Sequence, residues 1–539
     1  GLNGVLTTPA METVVALVGA LATSEIAEKC SGSQRRWLVL RTWLRRGVAA
    51  FTPGGADAKP MNRSRSAWIL LVVAVVCAGF ALKALWLIDA TALWSDELYS
   101  VGKSFQASPA ALLSMLRHDT HPPLYYGLLW GWGQLVGQSP ITLRLLSWLA
   151  YGAGGIVMVA QARALAVDQR LGWTVSLAAL MAFCSPYPIR FSIEGKSYAL
   201  LVLVVALAWW WRNQGRLVPY ATAVALASLT HFYGLFLMLA AAAWDGWRRR
   251  WGLSLAAGLG AIPALAWMVY AAAYLFSSKA GSWIGGPSFA LLEDTLARGL
   301  GVWPLPKLAL LLLTVVTLRR WGGLKPVRWV DVDLLDRSGV IPSALMVVGV
   351  VLISFFKPLA FSRYFVVLIP ALVPVLAVLL GDAQLNRGGR LLAGAVLVIV
   401  IASWWGPGFA ELDPGLGGVR EQDQFRMVSQ QTDGFSERFS PRARLLNLSD
   451  RMEQEMGRIS PPVAAWGDHR ALRQRLFITP QPSVIWLASS GPEQALRRKL
   501  NPLQQEVEQV GYRCVNRSKR LSHGRILQCQ LESKLNPSL

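Results

Sequence analysis

Charge is what this chain has little of. Asp, Glu, Lys and Arg make up 16% of its 539 residues, where a soluble domain carries about 25%. Acids are the scarcer sign, 31 against 53 bases, which leaves a formal net charge of +22. Cysteine and histidine occur five times each, and the cysteines do not fall at metal-site spacing. There is no P-loop, no Gly-x-Ser-x-Gly and no His-Glu-x-x-His. These absences exclude the usual nucleotide cradle, the serine-hydrolase elbow and the zinc-protease helix.

Apolar residues are abundant: 53% of the chain is hydrophobic and the mean hydropathy is +0.39. Length alone would suggest several soluble domains. The distribution excludes them, because runs such as Ala67–Ile88, Val340–Phe356 and Leu391–Trp405 carry almost no charge. A spanning helix needs about 17–25 such residues, and a soluble core helix would keep a polar face. The basic excess lies largely in short loops between apolar runs, as the positive-inside rule expects. It therefore points to a membrane protein and away from nucleic acid. The rest sits in the C-terminal region, where it suits anionic lipid.

Residues 1–60 read as a poorly ordered N-terminal extension. Val14–Ala22 is too short to span, and Met61, directly before the first long run, looks like a natural start. From there we count eleven spans, about 67–88, 123–137, 141–163, 172–190, 197–212, 218–244, 253–276, 304–318, 340–357, 361–380 and 391–406. Arg63, Arg65, Arg248–Arg250, Arg319, Arg320, Lys325, Arg328, Arg387 and Arg390 then all fall on one face, the cytoplasmic one. Arg163, Arg170, Arg212 and Arg216 would face outward, which one missed or extra span among the middle helices would correct.

The expected fold class is mainly α: a polytopic membrane domain of about 11 helices over 61–406, followed by a small extracytoplasmic α/β domain over 407–539. In that second domain Gln422–Gln431 and Gln494–Val510 read as helices and Ser483–Ala488 as a strand. Cys514 and Cys529 lie fifteen residues apart, a spacing that permits a disulfide without demanding one. Cys77 and Cys184 read as small apolar residues within membrane runs.

The first outer loop, about 89–122, holds the most chemistry. Trp94-Ser95-Asp96-Glu97 follows closely on the first span. Two acids there suit a solvated loop equally well as a general base or a cation site. Ser108-Pro109 offers a helix start, and Ala110–Arg117 is amphipathic. His121-Pro122-Pro123-Leu124-Tyr125-Tyr126 re-enters the membrane, and its tyrosines also suit the interfacial belt.

Together, Asp96-Glu97, the amphipathic stretch, His-Pro-Pro-Leu-Tyr-Tyr and then Arg144 resemble the first outer loop of GT-C glycosyltransferases. The resemblance is to the protein O-mannosyltransferase-like family, glycosyltransferase family 39 and its bacterial members, and more distantly to the lipid A aminoarabinose transferases. It covers about 67–380 and more loosely reaches about 430. It implies a sugar, expected to be a hexose, moved from a polyprenyl-phosphate donor to a hydroxyl acceptor (lipid, glycan or protein) on the periplasmic face of the inner membrane. It implies inversion at the anomeric carbon and makes Asp96, with Glu97 beside it, the catalytic base or its positioner. His121, Tyr125 and Arg144 become substrate-binding candidates. Some relatives use a metal and others none, so a divalent cation at Asp96 stays open and no other cofactor is expected.

Two further clusters carry the resemblance. Arg190-Phe-Ser-Ile-Glu-Gly-Lys196-Ser-Tyr198 has a lysine where the family usually has arginine, keeping the charge and losing the fork. It also reads as a plain polar connection between spans, and the span count puts it on the cytoplasmic side, against a role in an outer site. Lys357-Pro358 and Ser362-Arg363-Tyr364-Phe365 resemble a lipid-phosphate pocket, in which Arg363 would grip phosphate and Tyr364 add a hydrogen bond. Interfacial anchoring explains the same residues. His231 within the sixth span matches a family feature too, although a lone helical histidine is more often packed. A transporter or lipid-linked sugar flippase is the competing class. It would show inverted repeats and interrupted helices at the midplane, and neither is visible in the sequence.

Overall fold

The computed structural model describes residues 63–91, 95–166, 171–277, 284–300, 317–321, 325–326, 332–409, 436–439, 467–490, 493–518 and 524–532, with a few isolated residues besides. The extension over 1–60, most of the span expected over 304–318 and the helix expected over 422–431 lie outside these residues.

The described chain is a helical bundle followed by a small α/β unit. Helix α1 (Arg63–Trp86) leads into α2 (Ser95–Ser104), α3 (Pro109–Arg117) and α4 (Leu124–Val136). Then come α5 (Pro140–Leu165), α6 (Leu171–Cys184), α7 (Pro186–Ser192), α8 (Tyr198–Asn213), α9 (Leu217–Thr230), α10 (Phe232–Trp247) and α11 (Trp251–Tyr270). Short α12 (Ala272–Ser277), α13 (Phe289–Leu300) and α14 (Val332–Arg337) precede α15 (Val340–Ser354). A 3-10 turn over Ser362–Leu368 runs into α16 (Ile369–Gly381), and α17 (Arg387–Trp405) closes the bundle.

Among the described residues, five segments are long and apolar enough to cross a membrane: Trp68–Asp89, Pro140–Leu165, Trp251–Tyr270, Ser362–Gly381 and Arg387–Trp405. Shorter apolar helices, α8, α9 and α15 among them, pack between them. The outward faces are apolar, with Leu71, Val75 and Leu82 on α1 and Leu391, Val398 and Ile399 on α17 all exposed. Such surface is stable only against hydrocarbon, and each helix satisfies its own backbone there. The chain is a multi-pass membrane protein.

The bundle has two polar ends. At one, Arg212 closes α8 by donating to both carboxylate oxygens of Asp245 (2.9 and 2.7 Å) and to Asp336 (2.8 Å). Arg250 also reaches Asp336, at 2.7 Å. At the other end lie Asp96, Arg144 and Arg363, described below. The Arg212 end also gathers Leu165 of α5 against Leu334 of α14.

Two expected spans are corrected. Residues 123–137 do not cross. Helix α4 has 13 residues, about 20 Å at 1.5 Å per residue, and α5 starts again at the same end, where Arg144 meets Glu97. Instead α4 lies along that end, with Trp130 donating to Gln106 O at 2.9 Å and Trp132 to Thr142 O at 2.8 Å. Conversely, 218–244 is two helices, α9 and α10, folded back at His231. That residue is extended (φ −160°, ψ 142°) and its ring caps α10 by accepting from Tyr233 N–H at 3.1 Å. Tyr220, near the start of α9, accordingly sits beside Arg212 and Asp245 at the far end. The turn closes because Gly234 lies against Ala227 O, where a Cβ would come within 2.3 Å.

One span lost and one gained leave the overall parity unchanged. The middle helices reverse, however. Arg212 moves to the end that holds Arg248–Arg250, and the Arg190–Tyr198 cluster moves to the Asp96 end. The anomaly in the basic residues is thereby resolved.

After the bundle, a four-stranded sheet has the order β3-β4-β6-β5, with β3 (Ser436–Phe439), β4 (Val484–Ser490), β5 (Tyr512–Asn516) and β6 (Gly524–Leu531). Its numbering follows a two-residue pair, β1 (Lys325–Pro326) with β2 (Ala383–Gln384). Strand β3 is parallel to β4, and the other pairs are antiparallel. Helices α18 (His469–Leu476) and α19 (Glu493–Gln509) cover the sheet through Leu472, Leu500 and Val507 against Ile485 and Leu527. Cys514 and Cys529 are directly opposed across β5 and β6 and are disulfide-bonded.

Candidate active site

Helix α2 carries the centre of the site. Asp96, Ser100 and Lys103 stand at i, i+4 and i+7, so they share one face. Glu97 points the other way and is fully buried. Its carboxylate takes a fork from Arg144, Nε to Oε1 and Nη2 to Oε2, both at 2.7 Å. Arg144 spends its remaining nitrogen on the carbonyls of Ile88 and Thr91, at 2.7 and 2.8 Å. Glu97 Oε1 also accepts the Gly195 N–H at 2.8 Å. One carboxylate thus ties together the end of α1, the start of α2, α5 and the 193–197 loop. Gly195 fits because it has no Cβ; one would come within 2.4 Å of Leu143.

Residues from distant parts of the sequence meet around Asp96. Arg363 Nη1 donates to Asp96 Oδ2 at 2.5 Å across 267 residues of sequence. Lys196, one residue beyond Gly195, is buried, and its ammonium makes no hydrogen bond or ion pair among the described residues. Burial lowers its proton affinity, and Asp96 and Glu194 oppose that effect. Tyr198 and Tyr364 lie 6.5 Å apart between centroids, and His231 lies 5.2 Å from Tyr364 and 6.0 Å from Tyr198.

His121 joins from the other side, 6.0 Å from His231. Its Nδ1 lies 3.4 Å from Asp119, which pairs with Lys103 at 2.6 Å. Burial disfavours the Asp119 carboxylate, but Lys103 and His121 outweigh burial and hold its pKa well below the usual range. For His121 burial comes first and Lys103 adds to it, and together they lower the pKa despite Asp119. Tyr125 and Tyr126 are buried with hydroxyls that have no hydrogen-bond partner among the described residues.

The structure therefore gathers Asp96, His121, Lys196, Tyr198, Arg363 and Tyr364 at one place. Glu97 and Arg144 are adjacent, but their charged atoms are committed to each other. Lys357 is exposed at the end of α15 and does not join the cluster through its ammonium. Asp96 is already paired with the Arg363 cation, and no group of three or more His, Cys, Asp or Glu suited to a metal ion occurs among the described residues. Those donors do not fit a divalent cation held by Asp96. Lys103 and Asp119 were not singled out from the sequence. The i, i+7 spacing of Asp96 and Lys103 was the available signal.

No family model matches the chain and no curated protein matches it. Among solved structures it is similar to ArnT from Cupriavidus metallidurans, both bound to undecaprenyl phosphate and in the apo state. In each case the TM-score is 0.49 and the identity 14%, over 86% of this chain and 98% of the other. At that level of likeness, fold and site rest on this chain's own residues.

Proposed function

We propose that this chain is a membrane glycosyltransferase that moves a sugar from a polyprenyl-phosphate donor to a hydroxyl acceptor. The observation that carries the reading is the meeting of Asp96 with Arg363 and Lys196 at one end of an apolar bundle. A carboxylate within reach of a bound hydroxyl supplies a general base. Cations beside it suit a phosphate leaving group. The apolar flanks of the bundle give a lipid-borne donor direct access from the membrane.

In this reading the acceptor oxygen attacks the anomeric carbon as its proton passes to Asp96. The bond from that carbon to the phosphate oxygen breaks, and the electron pair leaves with the lipid phosphate. Arg363 and Lys196 hold that phosphate, Arg363 shifting part of its hydrogen bonding from Asp96 to it. Attack opposite the leaving group inverts the anomeric centre. Glu97 and Arg144 act as a positioning pair: they fix Asp96, its neighbour on α2, and Lys196, through Gly195. His121, Tyr198, His231 and Tyr364 line the remaining side, where aromatic faces suit a sugar ring. Lys357 has no part in it. The donor sugar is a hexose or a pentose, and the basic residues at the Arg212 end support a reaction on the periplasmic side of the inner membrane, by the positive-inside rule.

The flippase alternative would place the charged cluster near the midplane between related halves. Here it lies at one end, among loops. The test supplies the full-length protein in nanodiscs with polyprenyl-monophosphate sugars, one at a time, plus detergent-extracted membrane acceptors. Loss of sugar from one lipid, matched by its gain in an acceptor, is the expected result. Movement of intact lipid-linked sugar between leaflets without bond cleavage would favour the flippase.

A further inference from the structure

The reaction proposed above gives no role to Glu194, a buried acid beside the site. Glu194 is 2% exposed, and its Oε1 has no hydrogen-bond partner among the described residues. Its backbone is fixed from three directions. Its carbonyl accepts from Ser147 Oγ at 2.6 Å and from Lys196 N–H at 2.7 Å, and the next residue donates to Glu97.

Charges of both signs face that carboxyl. Arg190 on α7 is the nearest cation, yet only at 3.8 Å and i, i+4. Arg363 acts on it from the 3-10 turn, whereas Asp96 and Glu97 on α2 act with the opposite sign. Tyr125 on α4 and Tyr198 on α8 also face it, and Lys196 follows it in the loop. Burial dominates and raises its proton affinity, Arg190 and Arg363 working against that. A buried carboxylate oxygen with no donor is costly, whereas a neutral carboxyl carries one O–H that needs an acceptor.

We infer that Glu194 works as a neutral hydrogen-bond donor to a phosphate oxygen of the lipid donor, completing a pocket with Lys196 and Arg363. The inference rests on the transferase reading. It assigns Glu194 to binding, apart from the proton transfer given to Asp96. An ionised carboxylate in that place would repel the phosphate. A bound phosphate therefore favours the protonated acid, and binding weakens once the pH is high enough to ionise it.

The test measures binding of undecaprenyl monophosphate to the full-length protein in detergent from pH 6 to pH 9, for wild type, Glu194→Gln and Glu194→Ala. Ionisation of the lipid phosphate acts on all three alike and cancels in their ratios. Glutamine is a permanent donor. Glu194→Gln is expected to bind within about twofold of wild type at pH 6 and about tenfold more tightly at pH 9, with Glu194→Ala about tenfold weaker than wild type at pH 6. Thermal unfolding of each variant confirms that it is folded. A wild-type to Glu194→Gln ratio that stays constant with pH would overturn the role of Glu194 and leave the transferase reading standing. No binding of the lipid by folded wild type would overturn both.

Discussion

Glu97 and Asp96 are neighbours in sequence and opposites in role. Two adjacent acids on a helix point about 100° apart, so one meets Arg363 at the open side and the other meets Arg144 in the interior. The sequence showed two acids and an arginine in the right order, but not which acid would be buried. That depended on Arg144, 47 residues away, arriving on the inner face. A buried fork of this kind is costly to break, because removing one partner strands the other charge. Arg144→Met is expected to destabilise the protein by about 3–5 kcal/mol, measured as a fall in the unfolding midpoint in detergent. Adding Glu97→Gln should recover part of that loss. If Arg144→Met costs less than about 1 kcal/mol, within the range of an exposed pair, the two side chains do not form the tie described.

At the scale of elements, the long apolar runs were legible and their turns were not. Strand β4, helix α19 and the spans at α1, α5, α11 and α17 fall within a few residues of where hydropathy and breakers put them. The failures have one cause. The stretch over 218–244 is apolar throughout, and hydropathy has no term for a chain that folds back at one extended residue. His231 supplies the cap and Gly234 the close approach, and neither is loud in sequence. For α4 the error ran the other way, because apolar residues lying flat along an end read the same as those crossing. Gly234→Ala tests the hairpin directly. A Cβ within 2.3 Å of Ala227 O meets backbone, which cannot yield cheaply. The expected outcome is destabilisation of about 2–3 kcal/mol, read by the same unfolding assay. A neutral result would mean that α9 and α10 do not close on each other at that residue.

For the whole molecule, the two helix-count errors cancel, so the expected direction of the last spans is unchanged while that of the middle ones reverses. The candidate site was legible as three separate motifs. Their convergence was not, since the count had put one of them on the wrong side. With the hairpin in place, acids and cations pair at the Asp96 end while exposed basic residues gather at the Arg212 end. The positive-inside rule predicts that the latter end is the cytoplasmic one. Cysteines at Ser114 and Arg249, both exposed and at opposite ends, in a Cys30→Ser background, should label oppositely with a membrane-impermeant maleimide in intact cells. Ser114→Cys is expected to react and Arg249→Cys to stay protected until the cells are opened. Labelling of both from one side would remove the assignment of the site to the outer face.

The claim on which the rest depends is that Asp96 takes the acceptor's proton. Single-turnover sugar transfer in nanodiscs, with wild type and Asp96→Asn loaded with the same polyprenyl-phosphate sugar, measures it most directly. Asparagine keeps the shape and a hydrogen bond but cannot accept the proton. General-base catalysis contributes about 10²–10⁴-fold, so the variant should bind the lipid donor and unfold at a similar temperature while transfer slows by at least a hundredfold. Transfer at the wild-type rate by folded Asp96→Asn would contradict the mechanism and put the base elsewhere in the cluster.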